Sequence, residues 1–194
     1  MLPTIGASLH LQRTTAQGPL HALGSMVTIG ASQVEQTIAW VSSAGVITGG
    51  PMYGPSAAAT DVAVVLPANA GPQVWVYVYN DSGSTIERGI ACIPKAAVAT
   101  RNVKIAATSS GNDAVVGVTQ WDLATGTYGW ILREGPGEIT ADAAGTTDGV
   151  PVKLSNATAG NCEFVSTPLS ESSFGLATET VTSALATVHL RCKG

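Results

Sequence analysis

Three histidines, His10, His21 and His189, are the residues best suited to ligate a metal or carry a proton at neutral pH. None stands in an HExxH or HxH pattern, the spacings that aim two imidazoles at one ion. Asp81, Asp113, Asp142 and Asp148 lie in Ser/Gly/Asn/Asp-rich stretches, where an aspartate usually bonds its own backbone in a turn. A glycosidase-type carboxylate pair would have to meet in space, and no acidic residue has a context that marks it for that role. Serines are plentiful, but GxSxG is absent, and Ser43, Ser82 and Ser172 have no identifiable base. The segment GSMVTIG at 24–30 lacks the Lys-Ser/Thr ending and the following helix of a phosphate-binding loop. Cys92, Cys162 and Cys192 are odd in number and show no CxxC spacing, so they read as buried thiols rather than a disulfide framework. No catalytic, cofactor-binding or metal site is assigned, and a protein that is not an enzyme and carries no cofactor is expected. The aromatic residues Trp40, Trp75, Trp121, Trp130, Tyr53, Tyr77, Tyr79 and Tyr128 read mainly as core, with a sugar-stacking platform or a subunit hot spot as the functional alternatives.

The totals narrow the class. Hydrophobic residues make up 45% of the 194 and charged residues only 11%, against roughly a quarter charged in an ordinary globular domain. Nine basic and 13 acidic residues give a formal charge of −4. Lysine and arginine are nowhere clustered, which argues against direct binding to nucleic acid. A surface so poor in charge is cheap to desolvate over a wide contact, as suits a chain whose exterior is covered by partners, and it fits a weakly charged soluble domain equally well. The start, MLPTIGASLHLQR, has neither the basic head nor the apolar stretch of a signal peptide, and no apolar run reaches the ~18 residues of a membrane span. A soluble protein made in the cytoplasm, with no membrane partner, is the expectation.

The elements that must position any surface site are strands. Residues 73–79, QVWVYVY, alternate Trp75, Tyr77 and Tyr79 with Val74, Val76 and Val78 and form the clearest strand in the chain. Residues 115–133 read as an antiparallel hairpin, Val115–Trp121 and Thr127–Arg133 around the loop Asp122–Gly126. Its return strand places Tyr128, Trp130 and Leu132 on one face and Gly129, Ile131 and Arg133 on the other. Further strands are expected at Ser25–Ile29, Thr37–Val41, Val46–Thr48, Asp61–Leu66, Ile86–Ile93, Val103–Ala107, Glu138–Thr140 and Thr187–Cys192, with Pro151–Leu154 and Cys162–Val165 as a pair. Helical signals are limited to single turns at Ala57–Ala59, Ala96–Ala99 and Val181–Ala186. Residues 1–24, punctuated by Pro3, Gly6, Gly18, Pro19 and Gly24, read either as a flexible leader or as an extended arm ordered only by a neighbour. Residues 25–194 read as one β-rich domain with an internal connection at 49–72.

Four phrases carry a resemblance. PLHALGSMVTI (19–29) precedes YVYNDSGSTIERGIACI (77–93), then VVGVTQWDLATGTYGWILREGPG (115–137), then TADAAGTTDG (140–149). In type, order and spacing, over more than half of the chain, they resemble the decoration, or cement, proteins of tailed-bacteriophage capsids. Residues 30–72 and 170–194 are less clearly matched. The resemblance implies an all-β fold, an antiparallel β-barrel or β-tulip-like domain with an N-terminal arm. It implies a homotrimer on the outer surface of the assembled virion capsid, stabilising it by bridging major capsid protein subunits. The alternative is an oligomeric β-rich head-fibre or tail module that binds host-surface glycans.

Overall fold

The computed structural model describes residues 12–29, 37–41, 47–49, 62–65, 72–95, 102–105, 114–142, 148–165, 173–178 and 185–193. Among these residues the fold is all-β, with no α-helix. The strands are β1 (Arg13–Thr14), β2 (Met26–Ile29), β3 (Thr37–Val41), β4 (Ile47–Gly49), β5 (Val62–Val65), β6 (Gln73–Asn80) and β7 (Ala91–Pro94). They continue as β8 (Asn102–Ile105), β9 (Gly117–Val118), β10 (Thr127–Thr140), β11 (Pro151–Leu154), β12 (Cys162–Phe164), β13 (Gly175–Ala177) and β14 (Leu185–Arg191). Strands β3, β4 and β5 form a separate three-stranded sheet, and the other eleven form one large sheet. The expected pair β11–β12 is present, in antiparallel register from Val152–Phe164 to Leu154–Cys162. Strand β13 was not legible: GLA is too short to show a period. Residues 1–11, much of the 49–72 connection and the expected turns at 57–59 and 96–99 lie outside the described residues.

The large sheet closes on itself. Strand β10 pairs with β6 and β9, β9 with β7, β7 with β8, and β8 with β6, so five strands form a hydrogen-bonded circuit. One pairing departs from the antiparallel expectation: β6 and β8 run parallel, Tyr79 beside Asn102 and Asn80 beside Val103. The connection through β7 makes this possible, because parallel neighbours need a crossover rather than a tight hairpin. The alternation in QVWVYVY then sorts side chains into two cores. Val76 and Val78 join Ile86, Ile90, Cys92, Val103, Val116, Leu123 and Ile131 in one cluster. Trp75 and Tyr77 join Trp121, Trp130, Leu132 and residues of β11 and β14 in the other.

Strand β10 runs for 14 residues and serves both parts of the sheet. Its first half pairs with β6, and its second half, Glu134–Thr140, pairs with Arg191–Leu185 of β14. The change of partner occurs at an irregularity between Leu132 and Glu134, followed by Gly135 at φ 101°. A bulge and a left-handed glycine bend a strand sharply enough to leave one neighbour for another. The expected hairpin of 115–133 is therefore mostly absent. Val118 opposite Leu132 is the single β9–β10 ladder position, and the return strand takes β6 as its main partner. The cross-strand aromatic match decides this choice, Tyr128 opposite Tyr79 and Trp130 opposite Tyr77, a pairing that Gly117 and Val118 cannot offer. The run 115–121 turns instead toward residues 87–92, through Val116 N–H to Cys92 O (2.9 Å) and Thr119 N–H to Ile90 O (3.1 Å).

Candidate functional site

The aromatic residues of β6 and β10 form a ladder. Trp75 stacks on Trp121 with ring centres 5.1 Å apart and planes 15° apart. Tyr77 lies 5.1 Å from Trp130 and 6.3 Å from Tyr128, and Tyr128 lies 4.9 Å from Tyr79. The inner members are buried, Tyr77 at 1% and Trp130 at 3% exposure, while Tyr79 and Tyr128 are half-buried. The core reading of the aromatics thus holds for Trp75, Tyr77, Trp121 and Trp130, and two tyrosines are left partly open. Tyr53 and the side chain of Trp40 lie outside the described residues.

Residues 12–24 cover the inner rungs as a strap. Strand β1 pairs with β10, Arg13 opposite Tyr128 and Thr14 opposite Thr127. The Gln12 side chain donates to Asp122 O and accepts from Ala124 N–H (3.0 Å) and Thr127 Oγ1 (3.1 Å), so one amide clamps the whole 122–127 loop. Leu20 N–H donates to the Tyr77 hydroxyl (3.1 Å), and Gly24 N–H donates to Tyr77 O (2.8 Å). His21 sits edge-on to Tyr77 at 5.2 Å and 5.1 Å from Trp130. Burial pushes the Tyr77 phenol above its usual range, against the pull of the Leu20 amide and Arg13. His21 Nε2 and Trp130 Nε1 are both buried without a hydrogen-bond partner, so the strap covers the rings at some polar cost. Of the arm expected over 1–24 and ordered by a neighbour, residues 12–24 lie on β6 and β10 of their own chain, and residues 1–11 lie outside the described residues.

The residues weighed for chemistry are dispersed. His189 is exposed on β14 opposite Pro136, whereas His21 packs on Tyr77 and Trp130, and His10 lies outside the described residues, as do Asp113, Ser43 and Ser172. No group of three or more potential metal ligands occurs among the described residues. Ser82 Oγ lies 2.7 Å from Asn80 Oδ1 and 2.6 Å from Ser84 O, two alternative acceptors for its single proton within the turn. Asp142 gathers Ser155 Oγ and Asn161 Nδ2 (2.7 Å) at another turn. Partial desolvation raises its carboxyl, but hydrogen bonds from Ser155, Asn161 and Thr158 outweigh that and hold it low. Asp81 is held low chiefly by its bond to Lys95 (2.7 Å), with Asn102 Nδ2 on the other oxygen (3.2 Å). Asp122, by contrast, is raised by burial, with Arg88 N–H on Oδ1 (3.0 Å) opposing. The three cysteines are free and buried; burial pushes the Cys92 thiol up to about 12 and raises Cys162 and Cys192 as well.

One feature of the outer face was not legible in the sequence. The strand order β1–β10–β6–β8 sets Arg13, Tyr128, Tyr79 and Asn102 side by side at one level of the sheet. All four are half-buried. They come from segments far apart in sequence, and only the pairing registers bring them together.

No protein-family model and no curated protein matches the chain. Among solved structures it is similar to the head fibre gp8.5 N base of bacteriophage phi29, at 14% identity and a TM-score of 0.42, over 60% of this chain and 93% of that one. A likeness at that level carries no argument about function.

Proposed function

We propose that this chain is a structural decoration protein of a tailed-bacteriophage virion, bound to the outer surface of the assembled capsid and bridging major capsid protein subunits. The observation that carries the reading is the way the phrases at 19–29, 77–93 and 115–137 come together. They supply the second half of the strap, β2, the second half of β6, most of β7, β9 and most of β10, so they contribute to four strands of the closed circuit and to the segment laid across it. A clamp must hold its shape while the shell beneath is loaded. A circuit of paired strands without internal edges, with a core on each face, meets that need. Binding to the assembled shell alone stabilises it by mass action, and repetition over a symmetric lattice multiplies weak contacts into firm retention. The homotrimer belongs to this proposal, as does the absence of catalysis. A cryo-electron reconstruction of the purified particle tests it. Density for this chain at symmetric outer shell positions is expected; density confined to the tail or fibres, or none, overturns it.

A second reading, a head-fibre or tail module that binds host-surface glycans, is favoured by the half-buried pair Tyr79 and Tyr128. Partly open tyrosines offer an apolar body and a polar tip, the composition of many binding surfaces. Retention of the isolated protein on host cells, lost after the surface glycans are stripped, supports this reading; equal retention on stripped cells removes it.

A further inference from the structure

The row Arg13–Tyr128–Tyr79–Asn102 has the composition of a saccharide subsite. We propose that it binds an acidic oligosaccharide, with a pyranose ring packed on Tyr79 and Tyr128 and a sugar carboxylate held by Arg13. The proposal deepens the glycan-binding reading and rests on it for the class of ligand.

Four neighbouring strands at ~4.8 Å spacing make a row roughly 14 Å long, room for a short oligosaccharide. Residues directly opposite in register project to the same face, so Arg13 and Tyr79 flank Tyr128 on one surface. Asn102 belongs to that surface too, because its neighbour Val103 points into the opposite core with Val76 and Val78. The ring centres of Tyr79 and Tyr128 lie 4.9 Å apart with planes at 44°, forming a shallow corner rather than a flat wall. Beyond them the ladder is closed to ligand by the strap over Tyr77 and Trp130. The polar groups flank the rings. Arg13 spends one guanidinium nitrogen on Gln17 O (3.2 Å), and its planar fork has further donors for a carboxylate. At the other end Asp81 is neutralised by Lys95 while it orients the Asn102 amide, so the carboxylate that touches the row is paired. A cation, two partly open rings and an oriented amide in a line fit a sugar acid better than a lipid or a phosphate backbone, which would need more positive charge.

The test is titration of the full-length protein with a hyaluronan tetrasaccharide and with cellotetraose, followed by saturation-transfer NMR and calorimetry. The acidic probe is expected to bind, with signal transferred to its ring protons. Tyr79→Ala and Tyr128→Ala are each expected to weaken it about tenfold, the scale of one aromatic contact. Arg13→Gln is expected to abolish the preference for the acidic over the neutral probe while leaving residual stacking. A native-like thermal melt of Tyr79→Ala and Tyr128→Ala checks that their loss reflects the site rather than the fold, and Tyr128→Phe, which keeps the ring, is expected to retain binding. Binding unchanged by Tyr79→Ala and Tyr128→Ala overturns the site but leaves the glycan-binding reading standing. No binding of either probe overturns the site, and only failure to distinguish native from stripped cells removes the reading itself.

Discussion

Gln73 offers the sharpest test of how the bent strand β10 is held. The side chain is fully buried, donates from Nε2 to Pro136 O (2.7 Å) and accepts from Trp75 Nε1 (3.1 Å). It thus satisfies a carbonyl just past the bulge and the indole of a fully buried tryptophan that stacks on Trp121. Gln73→Met keeps the approximate shape and removes both bonds. Each orphaned buried group costs about 1–3 kcal/mol, so the variant should lose about 2–6 kcal/mol, a large share of the ~5–15 kcal/mol by which a domain is stable. Trp75→Phe strands Gln73 Oε1 instead and leaves a void. In the double variant the Trp75–Gln73 bond is gone from both sides, so its penalty is not counted twice. Both orphans of that bond are absent from the double, so it should be less costly than the sum of the singles by about 2–6 kcal/mol. Urea unfolding followed by the fluorescence of the remaining tryptophans measures all four proteins, with stability compared at equal m-value. Additivity within about 0.5 kcal/mol, or a Gln73→Met loss below that figure, would refute the account.

Gly135 combines φ 101° with a site where an added methyl meets the carbonyl oxygen of Pro72 and, at 3.0 Å, the Cα of Gln73. Gly135→Ala should cost about 2–5 kcal/mol from backbone strain and crowding together, while Gly149→Ala, at φ 79° in open space, should cost only about 1–2 kcal/mol; equal losses by thermal or urea melting would show that the close approach is unimportant. Asp122 is raised by burial, so the folded state binds its proton more tightly than the unfolded chain, and this group adds stability as pH falls from the raised value to the ordinary aspartate range. Asp122→Asn, which can still accept from Arg88 N–H, should hold or raise stability at pH 7 and flatten that rise in a pH series of melts; a clear loss at pH 7 would contradict it. Asp81 and Asp142 are held low, so their contributions have the opposite sign, present above the ordinary range and lost as pH falls through the lowered values. Finally, the buried, protonated thiols of Cys92, Cys162 and Cys192 should resist a thiol reagent at pH 8 in the native protein and react as three per chain once denatured; fast reaction of any one in the native state would place it at the surface.

Much of the local structure was legible because strand signals are local. Alternation in QVWVYVY places Trp75 and Tyr77 in one core and Val76 and Val78 in the other, and the Tyr128/Trp130 face of β10 is set the same way. The cysteines read as buried thiols from their number and spacing, and they are buried. Pairing was less legible. Val115–Trp121 and Thr127–Arg133 look like a hairpin because they are adjacent, yet β10 matches its aromatics to those of β6, about fifty residues earlier. Nothing in a single strand's composition records which distant strand completes its ladder.

The sequence by itself determined an all-β chain, poor in charge, with alternating strands and no local motif for catalysis or metal binding, since composition and period-two patterning are properties of neighbouring residues. Only the tertiary structure decided the closed circuit, the parallel β6–β8 pair, the strap of 12–24 over Tyr77 and the row from Arg13 to Asn102. These depend on register between segments separated by tens of residues. That register is fixed by the simultaneous fit of two cores, which no stretch of chain can specify alone.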